Sequence, residues 1–498
     1  MFNRMPDLPS PRTLLIVLAA AWLTPITSAG QNLASADEAP CTCSTQLDWV
    51  HATLRVNDAG YDAAIEGIDA ARHAAHLDSL RATAASQPLG ADCTDLLERY
   101  VRFFRTGHLY VNPVGGGPAD APAEQTDVPD LPARTVDTAA LIRTAAQADD
   151  PLLGVWHLGA YTVAIERAPD DPARYAGRIV ASDNEDWAPG QVKFTFDPEA
   201  GTGTYLMGDH SPRALHAVDA PVAGALTLAP YGTWRRLSPK PVFPPGYLAY
   251  ETDYHSDLPL LRELSTETVY LRVPSFATEY QPYLDSLLAA HHDALMSHDG
   301  LIVDVRGNTG GSDWTFARLL DYLYTHPIRQ PAVEFLSTPL NDARYEWILE
   351  MPGLDSAARA WVADIQSRLA GQPAGTWVME TDSVLELETR ERVLPRPARV
   401  IVLTDGDCAS SCEGFVLAAR QSAKVKTMGL RTFGALDVSN MNFVESPCGA
   451  YRLSYATSRS RRLPDYPVDD YGIQPDVLLE PELVAPWEWV GYAKRRLE

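Results

Sequence analysis

The sequence has little positive charge for its length. It contains 41 Lys and Arg against 65 Asp and Glu over 498 residues, which gives a formal net charge of -24. A chain this acidic is repelled by nucleic acid and by anionic membrane surfaces, so partners of these two kinds are not expected. A hydrophobic content of 46% is sufficient for sizeable cores, and the length predicts two or three domains.

Long apolar runs and metal-ligand spacings are also missing. Beyond the N-terminus, no segment approaches the length of about 18 apolar residues that a membrane helix needs. No two cysteines have the C-x2-C spacing of a zinc site, and no histidines cluster at metal-ligand spacing. The G-x-G-x-x-G fingerprint of a dinucleotide site is absent as well. We therefore expect neither a metal nor a cofactor.

The N-terminus has the pattern of a secretory signal. Arg4 and Arg12 precede the short apolar run LLIVLAAAWL, and small residues follow in TPITSAG. A basic region, a short apolar core and a small-residue cleavage site are typical of a signal peptide. Residues 1–30 are thus predicted to be removed, and the mature protein is expected to be periplasmic or secreted, with no stable membrane span.

The six cysteines agree with an oxidising compartment; they are Cys41, Cys43, Cys93, Cys408, Cys412 and Cys448. Cys41 and Cys43 are separated by one residue, so each is expected to pair elsewhere, one of them with Cys93. A second expected disulfide joins Cys408 or Cys412 to Cys448.

Three patterns divide the rest of the chain. Residues 31–150 are predicted to form a helical region that ends in a linker, since runs such as CTDLLERYVRFFR have helical spacing and residues 112–135 are rich in Pro, Gly, Ala and Asp. Residues 151–245 contain short alternating runs between turn residues, which predicts a small antiparallel β domain, a barrel or a sandwich. In residues 246–498 strands and helices alternate, which predicts an α/β fold with a partly parallel sheet.

Ser410 stands where a predicted strand passes into a predicted helix. The stretch DGDCASSCEGF follows the apolar run VIVLT and precedes FVLAARQSA. A helix N-terminus offers unpaired backbone N–H groups and a favourable dipole, so a nucleophilic Ser410 would have the Ser411 amide as an oxyanion donor. The alternative is that Ser410 or Ser411 only caps the helix.

A glycine turn supplies a second candidate element. In LIVDVRGNTGGSDW the glycines follow a predicted strand and precede a predicted helix. Glycines at such a turn allow backbone amides to approach a ligand closely. Gly310 or Gly311 is therefore expected to provide the second oxyanion donor.

Together these segments resemble peptidase family S41, the tail-specific or C-terminal processing proteases. Five motifs occur in the family order between residues 265 and 480: DVRGNTGG, TD, SSCE, a glycine followed by TFG, and GIQPDV. The resemblance implies a crotonase-like (ClpP/crotonase-type) α/β catalytic core, a peptide or protein substrate, and Ser410 as the nucleophile. It also implies that a PDZ module would lie before the core, but residues 151–245 contain no G-L-G-F-like loop, so recognition of free C-termini is not expected.

The general base departs from the commonest family pattern. Many members place a lysine directly after T-x-G, where this chain has Ala435, and no lysine lies between Lys426 and Lys494. The resemblance is therefore to the branch that includes the tricorn core protease, which uses a histidine far N-terminal to the serine. It implies His108, in RFFRTGHLYV, as the base; without the resemblance, His108 is a surface or capping residue.

A histidine base requires a group that orients its ring and stabilises the imidazolium. The resemblance places this acid just before GIQPD, where YPVDDYGIQPD offers Asp469 and Asp470. Asp469 aligns better and Asp470 is the alternative; otherwise both are solvated loop carboxylates.

The predicted function is that of an exported serine endopeptidase with an acyl-enzyme on Ser410. A non-catalytic ligand-binding protein on the same fold, as in retinoid-binding relatives, is the alternative. Crotonase-like acyl-CoA chemistry is a third reading, which export disfavours because CoA thioesters are cytosolic. The sequence determines neither the preferred cleavage site nor the oligomeric state.

Overall fold

The computed structural model describes residues 40–114, 133–147, 150–168, 171, 173–351, 354 and 356–498. The predicted signal peptide and residues 115–132 of the predicted linker lie outside this part of the chain. Residues Thr42–Glu498 belong to one unit. No helix in the described ranges is long and apolar enough to cross a bilayer.

Four helices open the described chain: α1 (Cys43–Asn57), α2 (Tyr61–Ile68), α3 (Ala70–Ala84) and α4 (Ala91–Arg102). In α1 the buried apolar residues recur every three or four positions, which places them on one helix face. That face packs against the apolar face of α4 in one hydrophobic cluster. The chain leaves α4 through the turn that carries His108 and enters strand β1 (Tyr110–Pro113).

A short helix, α5 (Thr138–Gln147), precedes a nine-stranded sheet in which all neighbouring strands are antiparallel. Its strands are β2 (Gly154–Leu158), β3 (Tyr161–Arg167), β4 (Tyr175–Ser182), β5 (Val192–Asp197), β6 (Thr202–Leu206), β7 (Pro212–Ala214), β8 (Ala217–Asp219), β9 (Ala225–Ala229) and β10 (Gly232–Ser238). The spatial order is β7-β6-β5-β4-β3-β2-β10-β9-β8. Trp156 and Trp234 are fully buried in its hydrophobic cluster.

Helices and strands alternate through the remainder of the chain. The helices are α6 (Tyr247–Tyr254), α7 (Gln281–Ala290), α8 (His292–Ser297), α9 (Asp313–Phe316), α10 (Leu320–Leu323), α11 (Pro339–Glu350), α12 (Ser356–Leu369), α13 (Ser411–Ala419) and α14 (Trp489–Leu497), with 3-10 turns at Thr278–Tyr280 and Pro486–Glu488. The strands are β11 (Leu260–Glu263), β12 (Thr268–Arg272), β13 (Gly300–Asp304), β14 (Ile328–Pro331), β15 (Val333–Leu336), β16 (Trp377–Met379), β17 (Leu385–Glu388), β18 (Arg399–Thr404), β19 (Val425–Gly429), β20 (Val438–Glu445), β21 (Tyr451–Ser460) and β22 (Val477–Leu478).

A six-stranded sheet of order β11-β12-β13-β18-β19-β22 forms the centre of this part. Except for the antiparallel edge strand β11, its neighbouring strands are parallel. The sequences of strands β13 and β18 are largely continuous apolar runs, because a parallel sheet is covered on both faces. The carboxyl ends of neighbouring parallel strands meet at one edge, so the glycine turn after β13 lies beside the Ser410 turn after β18.

A second sheet attaches the N-terminal helices to this centre. Its order is β1-β21-β15-β16, and β20 also pairs with β21. Strand β1 runs antiparallel to β21, with Tyr110 opposite Ser454. Since β1 begins two residues after His108, this pairing carries the histidine across to the Ser410 turn. The whole is a mixed α/β fold with several sheets.

The disulfides confirm one expectation and contradict another. Cys43 pairs with Cys93, as predicted, and joins α1 to α4. Cys408 and Cys412 pair with each other, so the prediction that one of them binds Cys448 is wrong. The turn between β18 and α13 brings their Cα atoms to 5.4 Å, which is within disulfide reach.

Candidate active site

Ser410 is the residue immediately before α13, and its backbone is unusual. Its φ of 56° and ψ of -122° form a conformation that non-glycine residues rarely adopt, at a cost on the order of 1–3 kcal/mol. The Ser410 N–H donates to the Ala435 carbonyl at 3.0 Å and to Glu413 Oε2 at 3.2 Å. These bonds hold the backbone so that the half-buried hydroxyl projects from the turn.

His108 lies next to this hydroxyl, although 302 positions separate the two residues. Its Nε2 is 3.1 Å from Ser410 Oγ. Its Nδ1 is 2.6 Å from the Val438 carbonyl oxygen. Because a carbonyl only accepts, Nδ1 carries the proton and Nε2 is free to accept the serine hydroxyl proton.

The surroundings of His108 favour the neutral form of its imidazole. Burial lowers the pKa of His108 below its ordinary value of 6.5, and the positive charge of Arg105 lowers it further. A neutral imidazole near pH 7 is the form that a general base requires.

A buried ion pair holds the backbone of His108. The Arg105 guanidinium donates to both carboxylate oxygens of Asp58, at 2.7 and 2.6 Å. It also donates to the Gly107 carbonyl at 3.0 Å and to the His108 carbonyl at 3.1 Å. Since both members of the pair are buried, removing one would leave the other charge uncompensated.

Gly107 fits against Ala435, the position where many members of the resembled family carry lysine. A Cβ added to Gly107 would lie 2.4 Å from the Ala435 Cβ, which is far inside van der Waals contact. The histidine turn therefore packs directly on the residue that replaces the lysine. A larger side chain at either position would displace it.

Substituting Gly107 with alanine is expected to lower kcat/KM by about 100-fold, because a shift of roughly 1 Å in a catalytic group has an effect of this size. Steady-state kinetics with circular dichroism would measure it. Gly67→Ala is the matched control, since Gly67 lies in a helix with no atom within 4 Å of its added Cβ. Unchanged kinetics in the Gly107→Ala enzyme would contradict the packing described above.

Asp469 does not contact the imidazole, so the predicted contact with its second ring nitrogen is wrong. The carboxylate instead accepts from three backbone amides, those of Leu436 at 2.5 Å, Asp437 at 2.6 Å and Val438 at 3.3 Å. It thereby shapes the turn that presents the Val438 carbonyl to His108. Burial raises the pKa of Asp469 to about 6.

The neighbouring carboxylates complete this arrangement. Asp437 accepts from the amides of Val468 at 2.5 Å and Asp469 at 2.8 Å. The carboxylate of each turn therefore accepts hydrogen bonds from backbone amides of the other turn. Arg462 donates to Asp437 at 3.0 Å. Asp470, the alternative acid, accepts from the Thr106 hydroxyl at 3.3 Å and does not contact the imidazole.

The candidate oxyanion donors differ in whether their amides are free. The Gly310 N–H donates to Asn308 Oδ1 at 2.9 Å, so Gly310 is engaged. Within the described residues, the N–H groups of Gly311 and Ser411 have no acceptor. Gly310 lies against the serine turn, since an added Cβ would be 2.8 Å from the Ser410 Cβ. The absence of a side chain at Gly310 allows the glycine turn to approach the Ser410 turn this closely.

Glu413 is a positioning residue to which sequence reasoning assigned no role. Its fully buried carboxylate accepts from the Thr432 hydroxyl at 2.6 Å, from the amides of Gly434 and Ala435 at 2.8 Å each, and from the Ser410 amide. It joins the SSCE motif to the TFG motif. Burial raises the pKa of this carboxyl group, against the effect of its donors.

The polar residues of the DVRGNTGG motif hold the turn in place through contacts with one another and with the backbone. Asp304 and Arg306 form a buried bidentate ion pair, with distances of 2.8 and 2.6 Å. Asn308 accepts from Gly310 and, through its carbonyl, from the Ala409 amide at 3.2 Å. The motif therefore fixes the glycine turn relative to Ser410.

A cavity of about 400 Å³ lies beside the histidine and serine turns. Thr106, Gly406, Arg431, Thr432, Phe433 and Asp470 line it. The Phe433 side chain is exposed at the cavity. Among the described residues, no group of three or more His, Cys, Asp or Glu is placed to hold a metal ion.

A serine in the turn after a parallel strand, with its hydroxyl 3.1 Å from an imidazole nitrogen, is an arrangement found in serine-type hydrolases. Residues 267–479 match the model of peptidase family S41. This match confirms the resemblance seen in the sequence for that part of the chain, and it supports a serine-type peptidase.

The chain is similar to several solved structures. A mutant of CPAF is 12% identical, with 92% of this chain and 96% of that chain covered and a TM-score of 0.50. Mature CPAF is 13% identical over 92% and 96% of the two chains, with a TM-score of 0.49. The tricorn protease is 13% identical over 92% of this chain and 36% of that chain, with a TM-score of 0.42. No curated protein matches the chain significantly.

Proposed function

We propose that this protein is an exported serine endopeptidase that cleaves peptide bonds through an acyl-enzyme on Ser410, with His108 as the general base. The observation that carries the proposal is the 3.1 Å separation between His108 Nε2 and Ser410 Oγ. This distance is within the range in which a base takes the proton of a nucleophile.

The chemistry follows the usual order of acyl transfer. His108 Nε2 takes the hydroxyl proton while Ser410 Oγ attacks the scissile carbonyl carbon, and the carbonyl oxygen becomes an oxyanion. The free amides of Ser411 and Gly311 stabilise that charge. The imidazolium then gives its proton to the leaving amine as the C–N bond breaks. Water attacks the resulting ester with the same base, which releases the acid and restores the serine.

The third member of the catalytic group is a main-chain carbonyl. The Val438 oxygen accepts the Nδ1 proton, which selects the tautomer and fixes the ring. Asp469 acts through this carbonyl, because it accepts the three amides of the turn that contains it. We therefore assign Asp469 as a positioning residue, and Asp470 is not part of the mechanism.

Export and the crotonase-like core belong to the same proposal. The disulfides at Cys43–Cys93 and Cys408–Cys412 support an oxidising compartment, periplasmic or extracellular, because such bonds are rare in reducing ones. The parallel central sheet supports the crotonase-like core. The cavity beside Phe433 would hold a substrate side chain next to the scissile bond.

Cleavage of an unstructured protein such as casein tests the proposal. The folded chain is expected to produce new peptide ends, detected by mass spectrometry, and Ser410→Ala is expected to abolish them. Ser79→Ala is the control, since Ser79 is an exposed residue of α3. Cleavage that persists in Ser410→Ala would overturn the assignment of the nucleophile. No cleavage by the wild type would favour a non-catalytic ligand-binding protein.

The pH dependence follows from the pKa of His108. Burial lowers this pKa below 6.5, so the imidazole is unprotonated above that value and becomes protonated as the pH falls through the lowered pKa. We expect kcat/KM to be constant near neutrality and to reach half its maximum below pH 6.5. Initial rates from about pH 4.5 to 8 would measure it, and half-loss above pH 6.5 would contradict a buried base.

A further inference from the structure

The Cys408–Cys412 disulfide encloses the proposed nucleophile. The two cysteines are four positions apart, and Ser410 is the residue midway between them. Both cysteine side chains are fully buried in the core cluster that includes Val305 and Phe415. The crosslink thus ties the turn after β18 to the first turn of α13.

The conformation of Ser410 is one that the chain does not adopt without constraint. Its positive φ is sparsely populated by side-chain-bearing residues, and such backbone persists only where the surroundings over-determine it. The hydrogen bonds of the Ser410 amide restrain one side of the peptide. The disulfide adds a covalent restraint on both ends of the same short segment.

We propose that this disulfide is a positioning group for Ser410, and that opening it switches the peptidase off without unfolding the chain. The proposal rests on the function proposed above. With the bond open, the segment relaxes to a negative φ at residue 410, and the hydroxyl leaves the hydrogen-bonding range of His108.

The disulfide whose loss reduces stability more should be the one whose loss reduces activity less. In the chain-entropy account a disulfide stabilises more when it closes a longer loop. The Cys43–Cys93 bond spans 50 positions and lies in the helical region, whereas Cys408–Cys412 spans four. Loss of the long-range bond should therefore reduce stability more, while loss of the short one should reduce activity more.

The switching chemistry uses a dithiol such as dithiothreitol. One of its thiolates attacks a cysteine sulfur, the S–S bond breaks, and a mixed disulfide forms. Its second thiolate then displaces the remaining cysteine. The reagent leaves as a cyclic disulfide, and Cys408 and Cys412 become thiols with two protons from solvent. After the reagent is removed, oxidised glutathione re-forms the Cys408–Cys412 bond by the same exchange and leaves as two glutathione thiols.

The test compares Cys408→Ala/Cys412→Ala with Cys43→Ala/Cys93→Ala on one peptide substrate. We expect the first variant to lose about 100-fold in kcat with KM changed by less than about twofold, and to lose less in Tm than the second. The second should keep the wild-type kcat below its Tm. A first variant with wild-type kcat, or kcat losses that follow Tm in both variants, would overturn the proposal.

Reduction of the wild-type enzyme provides the same test without a substitution that affects folding. Thiols trapped with iodoacetamide and located by mass spectrometry show which bond has opened. Activity should be lost when Cys408 and Cys412 become alkylatable, and parallel samples that are reoxidised before trapping should recover it. Full activity with this bond open would refute the proposal. An oxidised wild type without any peptidase activity would overturn the proposed function, and this inference with it.

Discussion

Replacing His108 with alanine is expected to lower kcat by about 10⁴-fold, because the serine hydroxyl then has no base within reach. The fold should remain intact, since His108 is half-buried and is not a member of the hydrophobic clusters of the described residues. Steady-state kinetics on a peptide substrate, together with circular dichroism, would measure both effects.

His326→Ala is the matched control for this substitution. His326 is an exposed histidine whose ring hydrogen-bonds to the neighbouring Thr325 hydroxyl at 3.0 Å, so its removal should leave kcat unchanged. The acid limb of the pH profile that belongs to the His108 pKa should also disappear in His108→Ala. A loss below about 10-fold would show that another group serves as the base.

Asp469→Ala is expected to lower kcat by about 100-fold although the carboxylate does not contact the imidazole. The substitution removes the acceptor of three amides, so the turn at residues 436–438 loses its shape and the Val438 carbonyl moves from Nδ1. An error of about 1 Å in ring position accounts for a loss of this size. KM should change much less, because binding groups for the substrate are not removed.

The Asp470→Ala variant distinguishes the positioning role of Asp469 from a general effect of removing a negative charge near the site. Asp470 is adjacent in sequence and accepts only a 3.3 Å bond from the Thr106 hydroxyl among the side-chain groups. We expect Asp470→Ala to lose less than about threefold in kcat, while a change in KM would reflect the place of Asp470 in the cavity lining. Equal losses in both variants would contradict the assignment of Asp469 as the positioning residue.

The serine side of the site could be predicted from local sequence. An apolar run followed by a polar turn and a helical repeat indicates a strand, a turn and a helix, and Ser410 stands at that junction. The glycines of the DVRGNTGG motif predicted a second turn that supplies an oxyanion donor. Parallel pairing of β13 and β18 then explains why the two turns meet.

The histidine side of the site could not be derived from the local sequence pattern. His108 was identified only through the family resemblance, because 302 positions separate it from Ser410 and only tertiary folding joins them. The Val438 carbonyl was missed because a main-chain oxygen has no residue-type signal. Asp469 was recognised as important, but its bonds to backbone amides depend on how two distant turns pack.

One further prediction failed, and one alternative stayed open in the sequence, for reasons of geometry. Cys448 was expected to pair near the active turn, yet the tight segment of residues 408–412 brings its own two cysteines together. The choice between Gly310 and Gly311 as oxyanion donor was left open by the sequence, and the Asn308 side chain accepts the Gly310 N–H. Both outcomes depend on hydrogen bonds and Cα separations that spacing alone does not determine.

Covalent labelling with a fluorophosphonate tests the central claim most directly, since the reagent reacts with serines activated by a base. Intact mass followed by peptide mapping should show one adduct, located on Ser410. Labelling should be absent from Ser410→Ala and strongly slowed in His108→Ala. An adduct on another residue, or labelling of Ser410 at an unchanged rate without His108, would contradict the account.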